Sequence, residues 1–106
     1  MFESLQAIAE PTRFAILQLV HKSEMSAGDI AGNFMGITRP AVSQHIGVLK
    51  KAGLITERRI GTRRIYRLNP EGFEPIKTLL ENFWEPRLDK LKTAAEKEER
   101  KKRRTL

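Results

Sequence analysis

The chain has 106 residues, of which 40% are hydrophobic and 31% charged, so its composition fits one globular domain and excludes an intrinsically disordered protein. It has no cysteine and only short apolar runs, which excludes a disulfide framework, a thiolate metal site and a transmembrane helix. The net charge of +7 indicates a polyanionic partner such as nucleic acid or an acidic membrane surface. Because the first residues do not resemble a secretory signal, we expect a cytoplasmic protein.

The first part of the chain predicts three helices. The first is predicted from apolar residues that recur at helical spacing before Pro11: Phe2, Leu5 and Ile8. The second covers residues 12–21 and is apolar on most sides, which is typical of a central core helix. The third begins at Ser26, which with Asp29 three residues later forms a capping-box-like start, and it is broken by Gly36.

The fourth helix is predicted over residues 38–51 and runs on to Ala52. Thr38 is typical of an N-cap and Pro40 of a first helical turn, where its missing N–H costs nothing. Gly53 suits the left-handed conformation that commonly follows a helix. Together with the third helix and the turn at Gly36, this segment predicts a helix-turn-helix.

A β-hairpin and a long last helix complete the predicted order of elements. Two β-prone runs, residues 54–60 and 63–68, flank a Gly-containing turn, and residues 69–72 follow as a loop. A helical pattern begins near Pro75 and contains Pro86, which is expected to kink or split it. The order predicts a winged helix-turn-helix, mainly α with a small β-hairpin (α-α-α-α-β-β-α).

A rotation of about 100° per residue divides the predicted fourth helix into two faces. Val42, Ile46 and Leu49 form its core stripe. The opposite face is polar and contains these residues: Pro40, Ser43, Gln44, Gly47 and Lys51. No carboxylate occurs between Thr38 and Ala52, and Thr38 and Arg39 lie at the positively polarised N-terminus, so the face suits base edges and phosphates. An ordinary amphipathic helix with a solvated polar face remains the alternative.

His45 lies at the edge of the core stripe of this helix. A packed histidine and a DNA contact are equally compatible with that position. A metal ligand is disfavoured because no Cys, His or carboxylate lies one helical turn away.

The predicted hairpin carries a dense set of arginines around Gly61 and Thr62, with Glu57 as its one carboxylate. They are Arg58, Arg59, Arg63, Arg64 and Arg67. Guanidinium groups on such a wing can contact phosphates or enter the minor groove. An edge hairpin protected from aggregation by charge is the alternative, although Lys and Glu would then serve equally well.

Several segments in this order resemble the ArsR family of bacterial winged-helix repressors. They are Ala9-Glu10-Pro11-Thr12-Arg13, residues 25–31, residues 38–45, residues 49–54 and residues 61–68. The resemblance implies that Arg39, Ser43 and Gln44 face the major groove and that the basic wing touches the DNA backbone. It also implies a two-fold dimer formed by the first and last helices, and repression of transcription.

Two features depart from the family pattern. The spacing from Ala31 to Gly36 is one residue longer than usual, which puts the geometry of the turn in doubt. The family's metal sensors carry Cys near the third helix or His and carboxylates on the last helix. Residues 25–34 contain no Cys and the last helix contains no His, so we expect no metal and no cofactor.

The last helix carries an apolar stripe that is too long for a small domain to cover, so a second copy is expected to cover it. With the first helix, the predicted dimer interface is Phe2, Leu5, Ile8, Ile76, Leu79, Leu80, Phe83, Trp84, Leu88 and Leu91. The alternative is a helix that folds back on its own domain. Residues 1–96 are predicted to form the DNA-binding and dimerisation domain. Residues 97–106 are predicted to be a basic, flexible tail that either attracts phosphates or only solubilises the chain.

These features predict a sequence-specific regulator that binds double-stranded DNA as a homodimer at an inverted repeat and has no membrane partner. The predicted DNA contacts are Thr38, Arg39, Pro40, Ser43, Gln44, His45, Gly47, Lys51, Arg58, Arg59, Thr62, Arg63 and Arg64. An enzyme is not expected, because no nucleophile with its base, no phosphate-binding glycine loop and no metal cluster is found. A protein-interaction or RNA-binding winged helix without operator specificity is the alternative.

Overall fold

The computed structural model describes residues 2–84 of the chain. The helices are α1 (Phe2–Ile8), α2 (Pro11–Lys22), α3 (Ala27–Ala31), α4 (Arg39–Lys51) and α5 (Glu74–Asn82). The strands are β1 (Met25–Ser26), β2 (Ile55–Ile60) and β3 (Arg63–Leu68). This order confirms the winged helix-turn-helix. The chain up to Ile76 forms one compact unit, and Lys77 begins a second one.

The core of the first unit is built around α2, as its apolar sequence predicts. Helix α2 contacts α1, α4 and β3. The core stripe predicted for α4 is confirmed, because Val42, Ile46 and Leu49 are buried. The other buried apolar residues are Ala7, Ile16, Leu17, Val20, Ile30, Leu54, Ile55, Tyr66 and Ile76.

Side-chain caps fix where three helices begin. The Ser26 hydroxyl accepts from the backbone N–H of Asp29 at 3.1 Å, and the Thr38 hydroxyl accepts from Ala41 at 3.3 Å, as predicted. Helix α2 begins at Pro11, one residue earlier than expected. The reason is that the Glu10 carboxylate accepts from the backbone N–H of Arg13 at 2.8 Å and thereby caps the helix.

The structure also differs from the predicted elements near the helix-turn-helix. Helix α3 ends at Ala31, and Gly36 adopts a left-handed φ of +77° within the turn to α4. The hairpin is extended to three strands in the order β1-β3-β2, because Met25 and Ser26 pair with Tyr66 and Ile65.

The segment after the hairpin, predicted as a loop, contains a 3₁₀ helix at Pro70–Phe73. Its Gly72 packs directly on the backbone of Gly53, and a Cβ there would overlap the Gly53 carbonyl oxygen. Position 72 therefore accepts only glycine without a shift of the backbone.

Helix α5 ends at Asn82, four residues before Pro86. Pro86, Leu88, Leu91 and the predicted tail lie outside the described residues. Among residues 2–84, no helix combines the length and the apolar character that crossing a bilayer requires.

Candidate nucleic-acid interface

Helix α4 presents the predicted polar face to solvent. Pro40, Ser43, Gln44, Gly47 and Lys51 are all exposed. Val48, which the sequence reasoning did not select, is also exposed and widens this face. The polar row follows the helix from its N-terminal turn to its last turn, so it can line a groove of a duplex.

Arg39 lies at the N-terminus of α4 beside the start of α3. A Cβ built on Gly28 would lie 3.4 Å from the Arg39 guanidinium, so glycine at position 28 leaves this side chain room. Residues 26–29, Arg39 and the wing residues Thr62, Arg63 and Arg64 line an open groove of about 360 Å³. The groove brings the start of the predicted recognition helix and the wing tip together.

The wing arginines are divided between the two faces of the hairpin. Arg59 pairs with Arg64 across the strands, and both share a face with Glu57 and Tyr66. By strand alternation, the opposite face carries Arg58, Arg63 and Arg67. The wing tip turns at Gly61, which has a left-handed φ of +62°.

Carboxylates contact several of these cations. An Arg58 guanidinium nitrogen lies 2.7 Å from a Glu24 oxygen, and an Arg63 nitrogen lies 3.4 Å from an Asp29 oxygen. The side chains of Arg39, Lys51 and Arg59 differ, because within residues 2–84 they make no hydrogen bond or ion pair.

Glu57 links α4 to the wing. One of its oxygens lies 2.6 Å from Lys50 Nζ, and the other lies 3.4 Å from Arg64 Nε and 3.2 Å from the Tyr66 hydroxyl. The hydrogen bond from Lys50 holds the pKa of Glu57 below its ordinary value of 4.5. Burial and the neighbouring Glu57 charge raise the pKa of Tyr66.

His45 faces the first two helices and is partly buried. Its Nδ1 lies 3.3 Å from an Arg13 guanidinium nitrogen and 3.8 Å from a Glu10 oxygen. Because a guanidinium only donates, the contact with Arg13 is a hydrogen bond only in the tautomer whose Nδ1 carries no proton. This placement matches the packed interpretation of His45, while its role toward DNA stays a prediction.

Arg13 also belongs to this region, although the sequence pattern did not predict it as a site residue. Its guanidinium also donates to the carbonyl oxygens of Ala7 at 2.8 Å and Gln6 at 3.2 Å, so it ties the end of α1 to α4. Arg13 is the single charged residue among positions 12–20, and that is the signal that identifies it.

Within the first unit, positive charge is concentrated in residues 38–67, which we call the basic region. It contains eight Lys and Arg residues and one Glu, for a net charge of +7. Residues 2–37 and 68–76 contain two basic and six acidic residues, for a net charge of −4. The basic region is therefore where the first unit attracts a polyanion.

The described members of the predicted dimer interface differ in exposure. Phe2, Leu80 and Phe83 are exposed, and Trp84 is about half exposed. Leu5, Ile8 and Leu79 are half-buried, whereas Ile76 is buried in the core of its own chain. In the part of the chain that the structure describes, no group of three His, Cys, Asp or Glu side chains is placed to hold a metal ion.

Similar proteins are found over most of the chain. A family model described as a helix-turn-helix domain matches residues 8–58. The HTH-type transcriptional regulator Rv2034 of Mycobacterium tuberculosis is 43% identical over 79 residues, which are 74% of this chain and 73% of the relative. The transcriptional repressor SdpR of Bacillus subtilis is 44% identical over 64 residues, which are 60% of this chain and 70% of that protein.

Solved structures of similar proteins share the fold. One, described as a possible transcriptional regulator for arsenical resistance, has a TM-score of 0.71 at 38% identity and matches 89% of this chain and 97% of its own. An ArsR-like transcriptional regulator from Rhodococcus sp. RHA1 has a TM-score of 0.72 at 25% identity, over 91% of this chain and 90% of its own. Both the sequence and the fold are thus similar to those of transcriptional regulators.

Proposed function

Because this chain belongs to the ArsR family of winged helix-turn-helix transcriptional regulators, we propose that it binds a specific operator in double-stranded DNA as a homodimer. We further propose that it represses transcription there, as the name of its relative SdpR says of that protein. Members of this family are regulators and not enzymes. A regulator of this kind works where the DNA is, in the cytoplasm.

The observation that carries the proposal is the exposed face of α4. It offers hydroxyl, amide and ammonium groups without a carboxylate, and α4 is the second helix of the helix-turn-helix. Ser43 and Gln44 can exchange hydrogen bonds with base edges, and Gln suits the adenine edge in particular. Arg39 and Lys51 lie near the two ends of this face and are available for phosphates.

The wing supports DNA binding through contacts to phosphates and not through contacts to bases. Its arginines lie on both faces of a short hairpin, so they can contact phosphates on the two sides of a groove. Such contacts add affinity without reading sequence. Specificity is therefore assigned to α4, and much of the affinity is assigned to the wing.

Dimerisation is supported by large apolar side chains that remain exposed in one copy, among them Phe2, Leu80 and Phe83. A symmetric dimer would present two copies of α4 about one or more DNA turns apart, with ~34 Å per turn. The operator expected from this arrangement is an inverted repeat.

Selection of bound duplexes from a random pool tests the proposal, with RNA of the same sequences present as competitor. We expect an enriched inverted repeat in duplex DNA. A single enriched half-site would contradict the symmetric dimer. Preferential recovery of RNA, or no enrichment beyond the starting pool, would contradict the operator and favour an RNA-binding or protein-interaction module.

A further inference from the structure

We infer that Glu24 and Asp29 limit the sequence-independent affinity of this protein for DNA, because their carboxylates compete with phosphates for two wing arginines. The inference rests on the proposed function, since it concerns the same DNA interface. It assigns a role to acidic residues that lie outside the basic region in sequence and against it in space.

Glu24 lies between α2 and β1 and contacts the wing directly. Its Oε2 accepts from Arg58 Nη2 at 2.7 Å, a distance typical of a charge-assisted hydrogen bond. The Arg58 side chain is 58% exposed, so a phosphate could reach the guanidinium from solvent. To use its full charge on DNA, Arg58 must leave or share this carboxylate.

Asp29 contacts an arginine near the wing tip, Arg63, as Glu24 contacts Arg58. The hydroxyl of Ser26 holds the Asp29 backbone N–H at 3.1 Å and also accepts from Arg63 Nη2 at 3.3 Å. The same Arg63 nitrogen lies 3.4 Å from Asp29 Oδ2, in the groove between the wing tip and the start of α4. Asp29 therefore places a negative charge where a DNA phosphate is expected to lie.

Arg59 differs from Arg58 and Arg63 in this respect. It lies on the same hairpin but makes no ion pair within residues 2–84, so no carboxylate there competes with a phosphate for it. Glu57 is excluded from this role. Its side chain is only 20% exposed and holds Lys50, Arg64 and Tyr66 together, so its removal would disturb the fold.

The competition acts on phosphate contacts, which are shared by all duplex sequences. Removing a competing carboxylate should therefore raise the affinity for operator and for unrelated duplex by the same factor. Exposed ion pairs are weak, so we expect a factor of about two to five for each carboxylate.

The test compares Glu24→Gln with Glu71→Gln, measuring the affinity of the full-length protein for a mixed-sequence DNA duplex at several salt concentrations. Glu71 is exposed and its side chain has no partner among the described residues, so its substitution makes the same charge change away from the wing arginines. We expect tighter binding by Glu24→Gln than by either wild type or Glu71→Gln.

Asp29→Asn is the second variant, and thermal melting of each variant checks that it is folded. Equal affinities of Glu24→Gln, Asp29→Asn and Glu71→Gln would overturn the inference, since the effect would then belong to net charge alone. Weaker binding by folded Glu24→Gln and Asp29→Asn would also overturn it. A wild-type protein that binds no duplex would refute the proposed function instead.

Discussion

Gln44 and Arg59 are both exposed in the basic region, yet their contact chemistry is different. The Gln44 amide can recognise one base edge, whereas the Arg59 guanidinium, which has no partner within residues 2–84, can contact any phosphate. Arg59 is a cleaner probe than Arg64, since Arg64 lies beside Glu57 and its removal would change that contact as well.

We expect Gln44→Ala to relax the preference at one operator position, with a loss of about 1–3 kcal/mol in discrimination there. Competition between the selected operator and single-base variants measures this change. Gln18→Ala, at an exposed position of α2, is the matched control and should leave the preference unchanged. A uniform loss of affinity at all positions would argue against base reading by Gln44.

Arg59→Ala should instead weaken the binding of all duplexes alike and reduce the slope of log affinity against log salt by about one. Titrations at several salt concentrations give both quantities, with Lys22→Ala of α2 as the control. A change confined to the operator would show that Arg59 reads sequence.

At the residue scale, exposure on α4 could be predicted from sequence and the partners of the arginines could not. The helical wheel needs only a constant rotation per residue, so local information suffices to separate Ser43 from Val42. Glu24 and Arg58, however, are 34 residues apart and meet only because α2 and the wing pack into one unit. The role of Arg13 could not be predicted for the same reason, since its partner His45 is 32 residues away.

At the element scale, Glu57 is the contact through which the end of α4 is joined to the hairpin. Its pKa is lower in the folded chain than its ordinary value, so the folded state binds fewer protons at this group than the unfolded state. The stabilisation is present above pH 4.5 and is lost as the pH falls through the folded pKa.

We therefore expect Glu57→Gln to be less stable than wild type at neutral pH and to show a flatter fall in Tm on acidification. Thermal melting from neutral to acidic pH checks this, with Glu71→Gln as the control. Parallel curves for wild type and Glu57→Gln would mean that other carboxylates dominate acid unfolding.

The helix starts at Ser26 and Thr38 were predictable because capping depends on residues within three positions. Strand β1 was not predictable, because two residues show no alternation and Met25 becomes a strand only by pairing with Tyr66. The 3₁₀ helix at Pro70–Phe73 likewise owes its place to the packing of Gly72 on Gly53, a contact across the fold.

At the scale of the whole molecule, the order of helices and strands could be predicted from local sequence signals. The proposed dimer depends instead on whether a second copy covers the exposed apolar residues of the predicted interface. We expect Phe83→Ser to shift the protein from dimer to monomer in sedimentation, because it removes an exposed aromatic side chain from the predicted interface. Met35→Ser is the control. Met35 is 98% exposed but lies in the turn between α3 and α4, outside that interface.

A dimer that persists in Phe83→Ser as firmly as in Met35→Ser would contradict an interface that includes Phe83. Ile76 was predicted as part of the same stripe, since periodicity alone does not distinguish a core residue from an interface residue. The structure accounts for Ile76 within one chain, in contact with its own core.

The hydrogen bonds of Arg13 have a consequence for local unfolding. Helix α1 has only seven residues, too few to persist alone in water, and two of its last carbonyls are satisfied by a side chain from α2. Because the same guanidinium contacts His45, we expect Arg13→Ala to accelerate amide hydrogen exchange across α1 and beside His45, while exchange at Ile16 stays slow. Helix α1 and the part of the proposed DNA-reading helix around His45 would then open and close together, as one cooperative unit.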